Sequence, residues 1–308
     1  MRVGFISHAD CGRHDTGWSH PEHVGRLRAI TRALRNDFDL FEGVEQLEGR
    51  HATPDEIALA HDPSYISMVQ DLAESGGGRL DNDTVVSSGS WDAATASAGC
   101  VLDAVDRAMS GANPRSFAAV RPPGHHALKD RAMGFCLVGN IGLAAHYARK
   151  KHVARRVLIV DWDVHHGNGT QALVEHEPDI HFVSMHQWPW YPGTGASSDR
   201  GPHDTVWNIP MPPARNPEDY VEALERGIDA ATRNFVPDLI LLSAGFDSML
   251  GDPLGGFTLD LEHFAGLTKS LVARAESWCD GRLVSALEGG YAPDLLGRAC
   301  VTHLAALA

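Results

Sequence analysis

Several short runs in this chain are apolar at nearly every position rather than at every second one: 116–120, 156–160, 238–242 and 282–287. A strand with apolar side chains on both faces must be covered on both faces, as happens in parallel sheets sandwiched between helices. The stretches between the runs are too long for hairpins and carry helical spacing of apolar residues, so each connection reads as a crossover helix. The expected fold class is therefore α/β with a mostly parallel sheet. No linker, charge run or repeat interrupts the pattern, and 308 residues with 43% hydrophobic content suffice for one large core, so residues 1–308 are expected to form a single domain.

Further elements follow from local signals. Residues 2–6 and 180–184 read as additional strands. Ser19-His20-Pro21-Glu22 is expected to open a helix with Val24, Leu27, Ile30 and Leu34 on its apolar face and Arg26, Arg28, Arg32 and Arg35 on its others. Helices are also expected from Thr53, over 90–110, around 139–151, from Asn216 to about Phe235, over 260–278 and over 292–307, with a long loop from 185 to about Thr205. That loop holds Trp188, Trp190 and Tyr191, and exposed aromatics beside a strand end suit the lining of a site.

In a parallel sheet the loops at the strands' C-terminal ends share one edge, where open α/β sheets hold their ligands. Here four such loops carry reactive side chains: His125-His126, Asp161 to Asn168, Ser243 to Asp247, and Glu288-Gly289-Gly290-Tyr291. If the backbone stays extended past Val160, the period of two puts Asp161, Asp163 and His165 on one side. Taken alone, that triplet could be a solvated turn; beside the other three loops it reads as a metal site. Asp163, His165 and Asp247 form a ligand set with an open position, suited to Zn²⁺ or a neighbouring divalent ion. His125 and His126 are placed to move protons, with Asp161 and Asn168 as orienting acceptors, and Tyr291 can donate its hydroxyl to a developing oxyanion.

Charge narrows the partners. With 26 Lys+Arg against 40 Asp+Glu the net charge is −14, which argues against nucleic acid and mildly favours cationic substrates. Five cysteines without a C-x-x-C pair suit a reducing compartment, and the start Met1 to His8 has no apolar signal stretch, so a cytoplasmic location and no membrane contact are expected. Oligomeric state is not legible.

The blocks R-P-P-G-H-H-A at 121–127, G-F-C at 134–136, D-W-D-V-H-H-G-N-G-T-Q at 161–171, S-A-G-F-D at 243–247, G-D-P-L-G-G at 251–256 and E-G-G-Y at 288–291 are jointly specific. In that order, over nearly the whole chain, they resemble the zinc-dependent histone deacetylase family, closest to its class II branch and to bacterial deacetylase-like and acetylpolyamine amidohydrolases. The resemblance implies a three-layer α/β/α sandwich of the arginase/deacetylase kind on an eight-stranded sheet. It implies removal of acetyl groups from acetylated lysine or other acetylated amines. It further implies one zinc on Asp163, His165 and Asp247, tandem histidines at His125 and His126, and an oxyanion tyrosine at Tyr291. A structural K⁺ would lie at Asp161, Asp163, His165, Ser184 and Met185. Phe135 and Tyr191 would wall the acyl channel with Gly134 between wall and metal, and Asp83 would hold substrate at the rim.

Two positions depart from many relatives: Asn168 stands where class I members have Asp, and Tyr191 where many have Phe. Leu254 is the expected apolar rim residue, which favours a neutral acyl-lysine stem over a polyamine. An arginase-like enzyme would need closely spaced aspartates for a second metal, whereas Asp247 is followed by Ser248, Met249 and only then Asp252. A non-catalytic acetyl-group binder would not be expected to keep Tyr291 and both histidines. Gly193-Thr194-Gly195 lacks the lysine-bearing phosphate-loop pattern.

Overall fold

The computed structural model describes residues 2–308. Ten strands form in chain order: β1 Gly4–Ser7, β2 Glu45–Glu48, β3 Gly77–Arg79, β4 Val85–Ser87, β5 Arg115–Ala118, β6 Val157–Asp161, β7 Ile180–Gln187, β8 Val206–Met211, β9 Leu239–Ala244 and β10 Leu283–Leu287. Eight make one sheet in the order β2-β1-β5-β10-β9-β6-β7-β8, parallel at every pairing. β3 and β4 form a separate antiparallel hairpin.

Ten helices surround the sheet: α1 Gly25–Asn36, α2 Phe38–Gly43, α3 Pro54–Ile57, α4 Pro63–Glu74, α5 Ser90–Ser110, α6 Asn140–Lys151, α7 Asn168–Val174, α8 Pro217–Thr232, α9 Leu261–Cys279 and α10 Pro293–Leu307. Side chains alternate along each central strand, so β6 sends Val157 and Ile159 into one core with α3 to α7. Leu158 and Val160 enter the other core, with α1, α8, α9 and α10. The result is the three-layer α/β/α sandwich expected. Every residue of β6, β9 and β10 is buried, the state their continuous apolar runs demanded.

Local chemistry sets several boundaries. Thr53 and Glu56 close a reciprocal capping box on α3, and Gly111 ends α5 in the left-handed conformation at φ 77°. The expected helix start at Ser19 is not found; α1 begins at Gly25 after a turn. Tertiary electrostatics override the local signal there: Glu22 is fully buried and held by Arg121 Nε at 2.7 Å, Arg121 Nη2 at 2.7 Å and Arg26 Nη1 at 3.1 Å. Arg26, expected on an outer face of the helix, is likewise fully buried.

Candidate active site

β6 continues as Asp161 and then turns, and its neighbours β9, β10 and β5 end at the same edge. This brings Asp163, His165 and Asp247 together, with one possible ligand atom from each lying within 4.8 Å of the others. His165 Nδ1 stands 3.1 Å from both Asp163 Oδ1 and Asp247 Oδ2. Backbone amides fix the carboxylates: Gly289 N–H donates to Asp163 Oδ2 at 2.8 Å, His165 N–H to Asp163 Oδ1 at 2.9 Å, and Val164 N–H to Asp247 Oδ1 at 2.9 Å. Gly289 is required by this approach, since a Cβ there would lie 2.0 Å from Asp247 Oδ2.

The cluster is short of positive charge. Burial favours the neutral form of Asp247, and Asp163 beside it adds to the effect, pushing its pKa up to about 7. Burial opposes a charged His165, yet hydrogen bonding to Asp163 and Asp247 outweighs it and raises that pKa to about 10. A proton on His165 thus stands where a cation would: the donor set of two carboxylates and one imidazole, all fully or nearly buried, fits a divalent ion, and a bound ion would keep the imidazole neutral.

The tandem histidines lie alongside. His125 Nδ1 is 3.0 Å from Asp161 Oδ2, and His126 Nδ1 is 2.7 Å from Asn168 Oδ1. Burial disfavours charge on both rings. At His125, Asp163 and Asp161 overcome burial and hold the pKa well above the ordinary histidine value. At His126, the positive potential of His125 and His165 adds to burial, and the pKa falls well below it. Two imidazoles of opposite protonation tendency, with ring centroids 4.0 Å apart, are therefore presented together. Tyr291 has its pKa held well above normal by burial and then by Asp247, so its hydroxyl remains a donor.

The aromatic side chains frame this centre. Tyr191 meets the His126 ring edge-on at 5.1 Å and the His165 ring at 6.1 Å, while Phe135 meets Tyr291 at 5.7 Å. Gly134, at φ 56°, passes so close to His126 that a Cβ would sit 2.4 Å from its Cδ2. Phe135 N–H donates to Thr84 Oγ1 at 3.1 Å, and Thr84 in turn contacts Asp83 Oδ1 at 3.3 Å, which ties Asp83 to the Phe135 backbone. Leu254 is half-buried, and its carbonyl accepts Trp190 Nε1–H at 2.9 Å, which ties the aromatic loop to the 251–256 segment. Asp161 and Ser184 are register partners on β6 and β7, with Met185 following Ser184, all three buried.

Three contributors were not singled out from sequence. Glu288 is buried, its pKa raised by burial to about 7, and its Oε2 accepts the amides of Gly124 at 2.6 Å and His125 at 3.1 Å. Asp252 Oδ2 accepts the Tyr291 amide at 2.6 Å. Arg26 lies 5.0 Å from the Tyr291 ring centroid, with its Nε donating to the Gly290 carbonyl at 2.7 Å. Glu288 and Asp252 sit inside the E-G-G-Y and G-D-P-L-G-G blocks, and Arg26 lies four residues after Glu22, the spacing of a helical ion pair. Asp252 is also the residue an arginase-like second metal would need, and its carboxylate is instead occupied by the amides of Leu254, Tyr291 and Ala292.

Residues 20–307 match the histone deacetylase domain. The chain belongs to the histone deacetylase family. A histone deacetylase-like amidohydrolase of Pseudomonas aeruginosa is 36% identical over 286 residues, covering 89% of this chain and 75% of its own length. An uncharacterized protein of Synechocystis is 42% identical over 310 residues, 98% of each chain. The crystal structure of the HDA15 HD domain superposes with a TM-score of 0.93 at 31% identity, covering 99% of this chain and 88% of that one. This histone deacetylase family member is accordingly a hydrolytic deacetylase with the α/β fold of that family. Among the described residues no helix is long and apolar enough to cross a membrane.

Proposed function

We propose that the chain removes acetyl groups from acetyl-lysine-type amides, using one Zn²⁺ held by Asp163, His165 and Asp247. The observation that carries this reading is the convergence of those three side chains, within 4.8 Å, beside two histidines of opposite protonation tendency. Zinc there would polarise the amide carbonyl and bring the pKa of a water down to roughly 7.

The chain's own residues supply the proton traffic. Neutral His126, oriented by Asn168, accepts a proton from the attacking water. His125, kept cationic by Asp161 and Asp163, adds positive potential, and Tyr291 donates to the oxyanion that develops on the carbonyl. As the C–N bond breaks, His126 returns its proton to the leaving amine, giving acetate and a free amine. The glycines around Tyr291 are fixed rather than loose, because Asp252 and Arg26 hold the backbone on either side. A structural K⁺ at Asp161, Asp163, His165, Ser184 and Met185 would offset the carboxylates beneath the zinc ligands.

The residues expected to form the channel support this substrate class. Phe135, Tyr191 and an apolar Leu254 suit a neutral methylene stem, and Asp83 at the rim suits a peptide backbone amide. Acetylated polyamines are a second reading, favoured by one observation: Asp83 and Asp81 lie close enough to help burial raise the Tyr191 pKa, so carboxylates do stand near the mouth. The test is kcat/KM for an acetyl-lysine peptide against acetylputrescine and acetylspermidine, at two salt concentrations that separate general steering from local contacts. The peptide should be preferred at both; a preference of about tenfold or more for polyamines at high salt would replace this reading with the second.

A further inference from the structure

We infer that His20 is a positioning residue for substrate recognition: it holds the backbone of Asp83 so that the Asp83 carboxylate stays where a substrate amide can meet it. The inference rests on the reading of Asp83 as the residue that takes the substrate backbone, and it adds what fixes that carboxylate in place. His20 lies in the turns before α1, 63 residues from Asp83 in sequence.

Hydrogen-bond accounting fixes the state of the ring. The Glu22 amide can only donate, and it donates to His20 Nδ1 at 3.1 Å, so that nitrogen carries no proton. The proton of the neutral ring is then on Nε2, which faces the Asp83 carbonyl at 3.0 Å and donates to it. The ring also packs edge-on against Phe135, with centroids 4.7 Å apart at 73°. One end of this link is rigid, because Glu22 is the fully buried carboxylate shared by Arg121 and Arg26.

The other end needs holding, since Asp81 and Asp83 set two carboxylates side by side. Burial opposes charge on Asp81, but the amides of Asp83 and Thr84, donating to its Oδ1 at 3.0 and 2.6 Å, outweigh it and lower its pKa. At Asp83, burial and then Asp81 raise the pKa, the mark of two like charges in one place. Repulsion of that kind turns a loosely held carboxylate away. Two tethers oppose it. His20 bonds the Asp83 carbonyl, and the Thr84 hydroxyl gives its proton to Asp83 Oδ1 at 3.3 Å while its oxygen accepts the Phe135 amide. Asp83 is thereby kept beside the Phe135 backbone, and close enough to Tyr191 to add to the rise that burial causes in the Tyr191 pKa.

The experiment compares His20→Gln with His20→Asn in the full chain. The glutamine amide nitrogen reaches about as far as Nε2 and can donate to the Asp83 carbonyl, but the bond to the Glu22 amide is lost. The asparagine oxygen stands near Nδ1 and keeps the Glu22 amide bonded, but no donor reaches Asp83. Both lose the ring on Phe135, so their difference isolates the two hydrogen bonds, and a merely structural role would favour asparagine. The acetyl-lysine peptide KM should instead be higher in His20→Asn than in His20→Gln by about 3- to 10-fold, the effect of one hydrogen bond, with kcat within about twofold. N-butylacetamide, which has the acetylated aliphatic stem but no peptide backbone, should be hydrolysed with the same kcat/KM by both. In an Asp83→Ala background the peptide gap should close. Equal peptide KM values, the reverse order, or a gap that persists with N-butylacetamide or without the Asp83 carboxylate overturns the assignment. If the reading of Asp83 is itself wrong, Asp83→Ala alone keeps the wild-type peptide KM, and the assignment falls with it.

Discussion

Replacing Asn168 by Asp tests the division of labour between the histidines. The side chain is nearly isosteric, and its position in the first turn of α7 favours a carboxylate. The new charge would sit where Asn168 Oδ1 now lies, 2.7 Å from His126 Nδ1. Unit charges about 4 Å apart at an effective dielectric constant near 20 attract by about 4 kcal/mol. At 1.36 kcal/mol per pH unit this is about 3 units, and desolvation of the buried carboxylate reduces it, so a rise of about 1–3 units in the His126 pKa is expected. In the native chain, burial and then His125 and His165 hold that pKa well below the ordinary value, so His126 is neutral and able to accept a proton. Raising it protonates the base over more of the pH range. The acidic limb of the kcat/KM profile should therefore move to higher pH by about 1–3 units, with metal content unchanged. An unmoved limb, or one displaced to lower pH, would refute the assignment of His126 as the proton acceptor.

Two further predictions concern the centre and its scaffold. Tyr291→Phe deletes only the hydroxyl and should lower kcat by about 100-fold or more with melting temperature and metal content preserved; an unchanged kcat would show that the hydroxyl does not meet the reacting carbonyl. Glu22→Gln removes the carboxylate paired with the buried Arg121 and Arg26, a loss of about 3–5 kcal/mol, or about 5–8 °C in Tm for a chain this long. Burial opposes ionisation of Glu22, but the arginines outweigh it and hold its pKa well below the usual carboxylate range. Its stabilisation is therefore complete above an unfolded pKa near 4.3 and is lost as pH falls below that, so the Tm gap to wild type should narrow in acid; a gap that widens would contradict the pairing.

How far the sequence could be read depended on where the deciding interaction lay. β6, β9 and β10 were legible because burial on both faces leaves a continuous apolar run. β2, written Glu-Gln-Leu-Glu, and β8, which carries Pro210, are the two edge strands of the sheet; edges tolerate charge and proline, which erases the signal. The start of α1 was misread because a capping signal at Ser19 is local, whereas the pull of Arg121 on Glu22 spans 99 residues. At the site, the converging loops followed from the parallel direction of the strands, whereas the period of two did not carry past Asp161, where β6 ends; the family resemblance added the expected channel residues. What escaped were side chains whose partners are backbone groups: Glu288 on the amides of Gly124 and His125, and Asp252 on that of Tyr291. Backbone donors leave no residue type to recognise.

The central claim is that Asp163, His165 and Asp247 hold the catalytic ion. It is tested most directly by stripping the metal from purified protein and following acetyl-lysine peptide hydrolysis as Zn²⁺ is returned to the wild type and to Asp247→Ala. The wild type should regain activity in step with zinc bound at one site, while Asp247→Ala, folded by its circular dichroism, should remain inactive at the same zinc concentration. Full activity in the stripped protein, or in Asp247→Ala, would contradict the account.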